Sequence, residues 1–457
     1  MRLEISTVVQ QQREYFFTNE TLSIEYRREA LTKLLQSIKK HEVDITEALN
    51  KDLNKSAFEA YETEIGIIYH EIRDIIKNLP RWSRVKRVPT PMTQFKGSSY
   101  IYSEPYGVTL IISPWNYPFQ LTMAPLIGSI AGGNCTILKP SAYSPNTSAV
   151  IREIIEECFE KKYVAVIEGG REANSELLKQ KFDYIFFTGS VNVGKVVMEE
   201  ASRHLTPVTL ELGGKSPCIV HKDADTDISA RRIIWGKCVN SGQTCVAPDY
   251  LLVHKDIKEE LICSMKKYIK EFWGDRPCCN TELPRIVNEK HFERLKAFLG
   301  SGSVVAGGDF INEELKISPT ILDNVNWSDP VMQEEIFGPI LPVITYDKLE
   351  EVINDVNSHP KPLALYLFTR DKKVEKKIVS TISYGGGCIN DTIVHLATSY
   401  MPFGGVGQSG MGQYHSRWSY DTFTHKKSIM KKSFAVDIKL RYPPYSGKLG
   451  LLKKILK

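Results

Sequence analysis

From position 107 to 138 the chain runs 32 positions without a charged side chain. A stretch this apolar either crosses a membrane or lies at the centre of a large core, and it exceeds the roughly 20 residues a membrane helix needs. The prolines decide between the two. Pro114, Pro118 and Pro125, interspersed with Asn116, Gln120 and Asn134, would break a lipid-exposed helix and leave its polar groups unpaired. The stretch therefore reads as a buried strand over 108–113, a turn, a buried helix over 119–131 stopped by Gly132-Gly133, and a second strand over 135–139.

The same alternation continues through a helix over 146–161 and strands at 164–167 and 184–187. Strands that lack polar alternation and are separated by helices predict a parallel sheet covered on both faces. A second α/β series starts near 208–212 and passes through strands at 250–253, 336–344 and 363–368. Ahead of both, apolar residues at helical spacing (Leu31, Leu34, Leu35, Ile38) predict helices up to Pro80, and Pro89-Thr-Pro91 turns the chain into extended structure. At 457 residues the chain is long enough for two or three cores.

With 42% apolar and 25% charged residues the composition is that of a soluble globular protein. The first residues lack the uninterrupted apolar core of a signal peptide. Nine irregularly spaced cysteines suggest neither a disulfide framework nor a zinc site, so no metal and a cytoplasmic setting are expected. After position 421 the chain holds ten Lys or Arg against one Asp, a local +9. The remaining 49 basic and 53 acidic residues balance to −4 of the total +5. The positive charge belongs to a tail, and nothing calls for a nucleic-acid groove. Residues 446–457 mix Leu and Ile with Lys, which suits either a half-docked terminal helix or contact with an anionic membrane surface.

Four segments carry chemistry. Cys245 follows Asn240-Ser-Gly-Gln-Thr, small or polar residues that suit a turn. A thiol there is open to substrate and to backbone N–H groups that lower its pKa. Cys135, Cys218 and Cys388 sit in strand-like runs and read as packing residues. Glu211 lies between two leucines ahead of Gly213-Gly214, where burial asks for a task or a partner. It is either a base with a raised pKa or half of a buried pair with Lys215. Asn116, between Pro114 and Pro118 at the end of the first buried strand, offers an amide as an oxyanion donor, or is an ordinary turn residue. Gly189-Ser190 through Gly194 opens a helix where a pyrophosphate could approach, and Lys139-Pro-Ser141 could reach a ribose.

In this order the segments resemble the aldehyde dehydrogenase superfamily. The matching motifs are Tyr106-Gly-Val-Thr-Leu-Ile-Ile-Ser-Pro-Trp-Asn-Tyr-Pro118, Leu210-Glu-Leu-Gly-Gly-Lys-Ser-Pro217, Gly242-Gln-Thr-Cys245 and Gln333-Glu-Glu-Ile-Phe-Gly-Pro339. Cys245-Val-Ala-Pro-Asp-Tyr250, Gly386-Gly-Cys-Ile-Asn-Asp391, the glycine-rich run 402–412 and Arg441-Tyr-Pro-Pro444 are similar to the class 3 branch, the fatty and aromatic aldehyde enzymes. The likeness extends over about 61–445.

The resemblance implies an α/β fold: a Rossmann-type parallel-sheet cofactor domain (1–81 and 103–208), an α/β catalytic domain (209–420) and a small β oligomerisation arm (82–102 and 421–445) that makes a homodimer. It implies oxidation of a small-molecule aldehyde with NAD and/or NADP. Cys245 would be the nucleophile, Asn116 the oxyanion donor, and Glu211 the base, a role Glu335 would share. Trp115, Lys139, Ser141, Gly189, Ser190, Gly194, Leu212, Gly213, Glu335 and Phe337 would hold the cofactor. Tyr61, Trp235, Ile393 and His395 would wall the substrate tunnel. Many NAD-preferring relatives carry a Glu three residues beyond the Lys139 position. Here Ala142 stands there, and without a carboxylate to repel a 2′-phosphate both cofactors are expected to serve. Transfer of the acyl group to coenzyme A, a phosphorylated or semialdehyde substrate, and a non-catalytic reuse of the fold remain the competing readings. Glu211 argues against the first, the lack of Arg near Asn116 and Cys245 against the second, and the complete set Cys245, Glu211 and Asn116 against the third.

Overall fold

The charge-free stretch folds as its prolines require. Strand Val108–Ile112, helix Gln120–Gly132 and strand Cys135–Lys139 are buried at every position. The helix stops at Gly133, whose φ of 92° lies in the left-handed region and whose N–H returns to the carbonyls of Ser129 and Ile130. Arg27 caps the same end, donating to the Ala131 carbonyl at 3.2 Å. The computed structural model describes residues 2–456. Among them no helix is long and apolar enough to cross a membrane.

Two sheets organise the described residues. The first has the order Gly410–Met411, Val208–Leu212, Tyr184–Gly189, Val108–Ile112, Cys135–Lys139, Val164–Val166. All its pairs are parallel except the short Gly410–Met411, which runs antiparallel to Val208–Leu212. The chain winds outward from Val108–Ile112 to Val164–Val166, then returns to its other side at Tyr184–Gly189. That reversal opens a crevice at the carboxyl ends of these strands, the place where open α/β sheets bind ligands. The second sheet runs Ser303–Ala306, Thr320–Asp323, Ile340–Tyr346, Tyr250–His254, Pro217–Val220, Ala364–Phe368, Gly386–Ile389, and only its Ser303–Ala306 edge is antiparallel. A three-stranded antiparallel arm joins Lys86–Val88, Gly97–Pro105 and Thr424–Lys432.

One difference from the sequence reading matters for the site. A division between 208 and 209 would cut through Val208–Leu212, which hydrogen-bonds into the first sheet beside Tyr184–Gly189. The apolar pattern of this strand suits either sheet, and only its neighbours tell them apart. The turn from the first sheet to the second comes after Leu212, at Gly213-Gly214. At the other end of the chain, helix Leu449–Ile455 has no buried residue.

Candidate active site

Cys245 ends a loop built from three consecutive left-handed residues, Asn240, Ser241 and Gly242, with φ of 53°, 50° and 71°. Such a run is costly for residues with side chains and persists only where the surroundings hold it. Here they do. Gln243, fully buried, donates to the carbonyls of Asn240 (3.1 Å) and Arg285 (3.0 Å) and accepts from the Val287 N–H at 3.0 Å. Asn240 donates its backbone N–H to Glu59 Oε1 at 2.7 Å. A Cβ on Gly242 would fall on the Gly338 carbonyl.

Asn116 meets this loop directly. Its strand, Val108–Ile112, ends at the crevice, and its side-chain Nδ2 donates to the Gln243 carbonyl at 3.0 Å, two residues before the cysteine. An amide nitrogen has two N–H groups, so one remains for a ligand. Tyr117, next in sequence, hydrogen-bonds Thr244 Oγ1 at 2.5 Å.

Glu211, carried by the first sheet, lies near enough to Cys245 to act on its charge. It is buried, and neither of its carboxylate oxygens has a hydrogen-bond partner. Loss of hydration alone holds its pKa well above the ordinary carboxylate range. The alternative partner is engaged elsewhere: Lys215 pairs with Asp249 at 2.5 Å and donates to the carbonyls of Val331 and Glu334. Glu335 folds back toward Gly213, where any Cβ would fall on its carboxylate, and burial next to Asp249 raises its pKa to about 8.

The thiol itself departs from expectation. The N–H groups of Cys245 and Val246 do favour the thiolate, but burial and the negative charges of Glu335 and Glu211 outweigh them, and the pKa is pushed up to about 12. Two neighbouring carboxylates and a dry wall are stronger than two amide dipoles. Cys135 and Cys218 are fully buried as packing residues. Cys388 is half-buried, with its Sγ 3.6 Å from His395 Nδ1.

Cys245 lines a cavity of about 210 Å³ whose wall is chiefly apolar, including Ile67, Leu121, Val239, Val246 and Phe403. Trp235 and Ile393 belong to this wall, whereas Tyr61 and His395 do not. Tyr61 is 48% exposed at the start of a π-helical turn, Tyr61–Ile65, and Glu62 and Thr63 of that turn, with Ile67 of the helix after it, line the cavity instead. His395 lies behind the wall, its ring against Tyr366 and Phe403.

The remaining residues surround the crevice of the first sheet. Ser190 caps helix Val191–Ser202, with its hydroxyl accepting from the Val193 N–H, and the helix begins directly at the carboxyl end of Tyr184–Gly189, where its first-turn N–H groups make an anion site. Gly194 lets the helix approach closely, since a Cβ there would lie 2.7 Å from the Leu212 side chain. Lys139 is buried with its ammonium donating only to the Pro140 carbonyl at 3.0 Å, and burial lowers its pKa to about 8. Ser141 follows it, and Ala142 is exposed. Trp115 packs edge-on against Phe337 at 5.3 Å. A dinucleotide fits these features: a helix N-terminus for its pyrophosphate, an under-used cation for a ribose and aromatic rings at the mouth.

Four residues of this region were not anticipated from the sequence. Lys55, Glu59 and Glu64 reach into it from the N-terminal helices, and Lys237 is buried with no partner for its ammonium. The signal that singled out Glu211, an acid among apolar residues, also marks Glu64 in Glu-Ile-Gly-Ile-Ile.

Residues 2–429 match the model of the aldehyde dehydrogenase family. The chain is 49% identical to a 4,4'-diaponeurosporen-aldehyde dehydrogenase of Staphylococcus aureus over 445 residues, 97% of each chain. It is 44% identical to the "aldehyde dehydrogenase, dimeric NADP-preferring" of Canis lupus familiaris, covering 98% of this chain and 99% of that one. This chain belongs to the aldehyde dehydrogenase family. Within it the chain falls in the class 3 branch. A solved structure titled as the substrate-bound state of Staphylococcus aureus AldH superposes with a TM-score of 0.97 at 48% identity, covering 99% of both chains. The protein is an NAD(P)-dependent dehydrogenase that oxidises aldehydes to carboxylic acids.

Proposed function

We propose that Cys245 attacks the aldehyde, Asn116 stabilises the oxyanion, and Glu211 activates the hydrolytic water, with Glu335 moving protons beside it. The observation that carries this reading is the hydrogen bond from Asn116 Nδ2 to the Gln243 carbonyl, which ties an amide donor to the cysteine loop and leaves its second N–H free. Because the resting thiol is protonated, its proton passes to a neighbouring carboxylate as the C–S bond forms. The alkoxide of the resulting thiohemiacetal takes a hydrogen bond from Asn116. When bound, the nicotinamide accepts the hydride that leaves on collapse. Glu211 then takes a proton from water, which attacks the thioester, releasing the acid and restoring the thiol.

The apolar cavity fits fatty or aromatic aldehydes, and a relative named for 4,4'-diaponeurosporen-aldehyde supports a large apolar substrate. The first sheet would serve as the cofactor domain and the second as the catalytic one, with the arm making a homodimer like the relative named dimeric. Ala142 leaves room for a 2′-phosphate, so NAD and NADP should both be accepted. The exposed helix Leu449–Ile455, with Lys453 and Lys454, would provide any contact with an anionic membrane surface. The test is reduced-cofactor formation, followed by absorbance, across a panel of long-chain and aromatic aldehydes with each cofactor. Activity on apolar aldehydes, abolished by Cys245→Ala, supports the reading. Undiminished activity of Cys245→Ala, or turnover confined to short polar aldehydes, overturns it.

A further inference from the structure

The N-terminal segment 55–64 touches both halves of the proposed centre. Lys55 and Glu64 form an ion pair at 2.6 Å with both side chains fully buried. Burying two charges costs several kcal/mol per ion after relaxation, a cost their mutual attraction repays only when further hydrogen bonds satisfy both groups. Here every further bond goes to the Asn116 turn. Lys55 Nζ donates to the Asn116 carbonyl at 3.2 Å. Glu64 Oε2 accepts from the backbone N–H groups of Phe119 (2.9 Å) and Gln120 (3.1 Å), at the start of helix Gln120–Gly132. Asn240 donates to the same Asn116 carbonyl at 2.7 Å, and its own N–H is held by Glu59. Lys55 Nζ and Asn240 Nδ2 thus converge on one carbonyl oxygen, that of Asn116, and segment 55–64 holds the first donor directly and the second through Glu59. A π-helical turn, Tyr61–Ile65, separates Glu59 from the next helix and carries Glu64, an irregularity of the kind frequent at functional sites.

We propose that Lys55 and Glu64 are positioning residues for the aldehyde reaction: their buried pair sets the orientation of Asn116 and acts on rate only through its amide. The inference rests on the oxyanion role of Asn116. That role depends on direction, since a donor serves only when aimed at the position the oxyanion will occupy. Neither side chain lines the apolar cavity; they touch it only through Tyr117, whose ring centre is 4.0 Å from Lys55 Nζ, and through the Gln120 N–H, so their loss should weigh on kcat rather than on substrate binding.

The test is a double-mutant cycle with Asn116→Ala. Lys55→Met leaves Glu64 buried and alone, so Lys55→Met/Glu64→Gln, which leaves no unpaired charge at either position, is made alongside it and carries the test if the single variant does not fold. In the wild-type background we expect kcat to fall at least tenfold, with KM for the aldehyde and Kd for NADPH changed less than twofold. In the Asn116→Ala background the same substitutions should cost less than twofold. An equal loss in both backgrounds, an effect confined to KM, or no loss at all overturns the proposal. Asn116→Ala alone reports on the underlying reading. If it leaves kcat intact, the oxyanion assignment fails. If it lowers kcat about 10²–10³-fold while the Lys55 variants stay additive with it, only the positioning role fails.

Discussion

An acid in a dry site has two consequences, one for rate and one for stability, and both follow from the same sign. As the proposed base Glu211 must be deprotonated, and burial holds its pKa well above the usual range. Thioester hydrolysis should therefore rise with pH through a limb far above that of an ordinary carboxylate. Glu211→Gln should keep a burst of one reduced cofactor per site while steady turnover falls on the order of 10²–10⁴-fold. Rapid-mixing absorbance reads both, and a variant that loses the burst as well would show that Glu211 acts before hydride transfer. Glu71 shows the stability side. It is buried, accepts from the Ser416 N–H at 2.9 Å and Ser419 Oγ at 3.1 Å, and has a pKa raised to about 7 from 4.5. A folded-state pKa above the unfolded one gives stability that is present below pH 4.5 and lost as pH rises through 7. The loss reaches on the order of 3 kcal/mol by pH 9, at about 1.4 kcal/mol per pH unit. Glu71→Gln keeps the acceptor oxygen without the charge, so its Tm should match the wild type at pH 4 and exceed it by several degrees at pH 9. Parallel melting curves at the two pH values check this.

At the scale of elements, the strand Gly410–Met411 deserves a direct test, because it covers the edge of the strand that carries Glu211. Gly410 has φ of 136°, and a Cβ there would collide with the Leu210 carbonyl. Gly410→Ala should destabilise the fold by roughly 2–4 kcal/mol through strain and steric conflict, read as a lowered Tm with little soluble protein at 37 °C. This closure also marks how far the sequence could be read. Val108–Ile112, Gln120–Gly132 and Cys135–Lys139 were legible because their apolar pattern and breakers are local. Glu211 was legible because an acid among leucines is conspicuous without knowing its surroundings. Membership of Val208–Leu212 in the first sheet was not, since its apolar pattern suits either sheet, and the strand Gly410–Met411 that closes its edge is remote in sequence. The same holds for Glu59, whose contact Asn240 is 181 residues away, and for Lys55, 61 residues from Asn116. Tyr61 was misplaced because nothing in its neighbours announces a π-helical turn.

For the whole molecule the arm sets the expectation. Its outer strand Thr424–Lys432 is exposed along nearly its whole length, including Ile429 and Met430, and presents an unpaired backbone edge. A second copy of the chain can add to it, giving a particle of twice 51.9 kDa. In an antiparallel ladder alternate residues point their N–H away from the partner strand, so of Ser428→Pro and Ile429→Pro one removes an outward donor. That variant should stay folded and shift to the monomer mass in light scattering, while a dimer persisting in both would place the interface elsewhere. The order of the first sheet has a further consequence, in time. A ribosome releases Val208–Leu212 roughly 200 residues before Gly410–Met411, which at ~5–20 residues per second is a delay of ~10–40 s. Throughout that interval the nascent chain carries an open β edge beside Glu211, a surface that chaperones or neighbouring chains on the same message can reach until the last tenth of the protein is made.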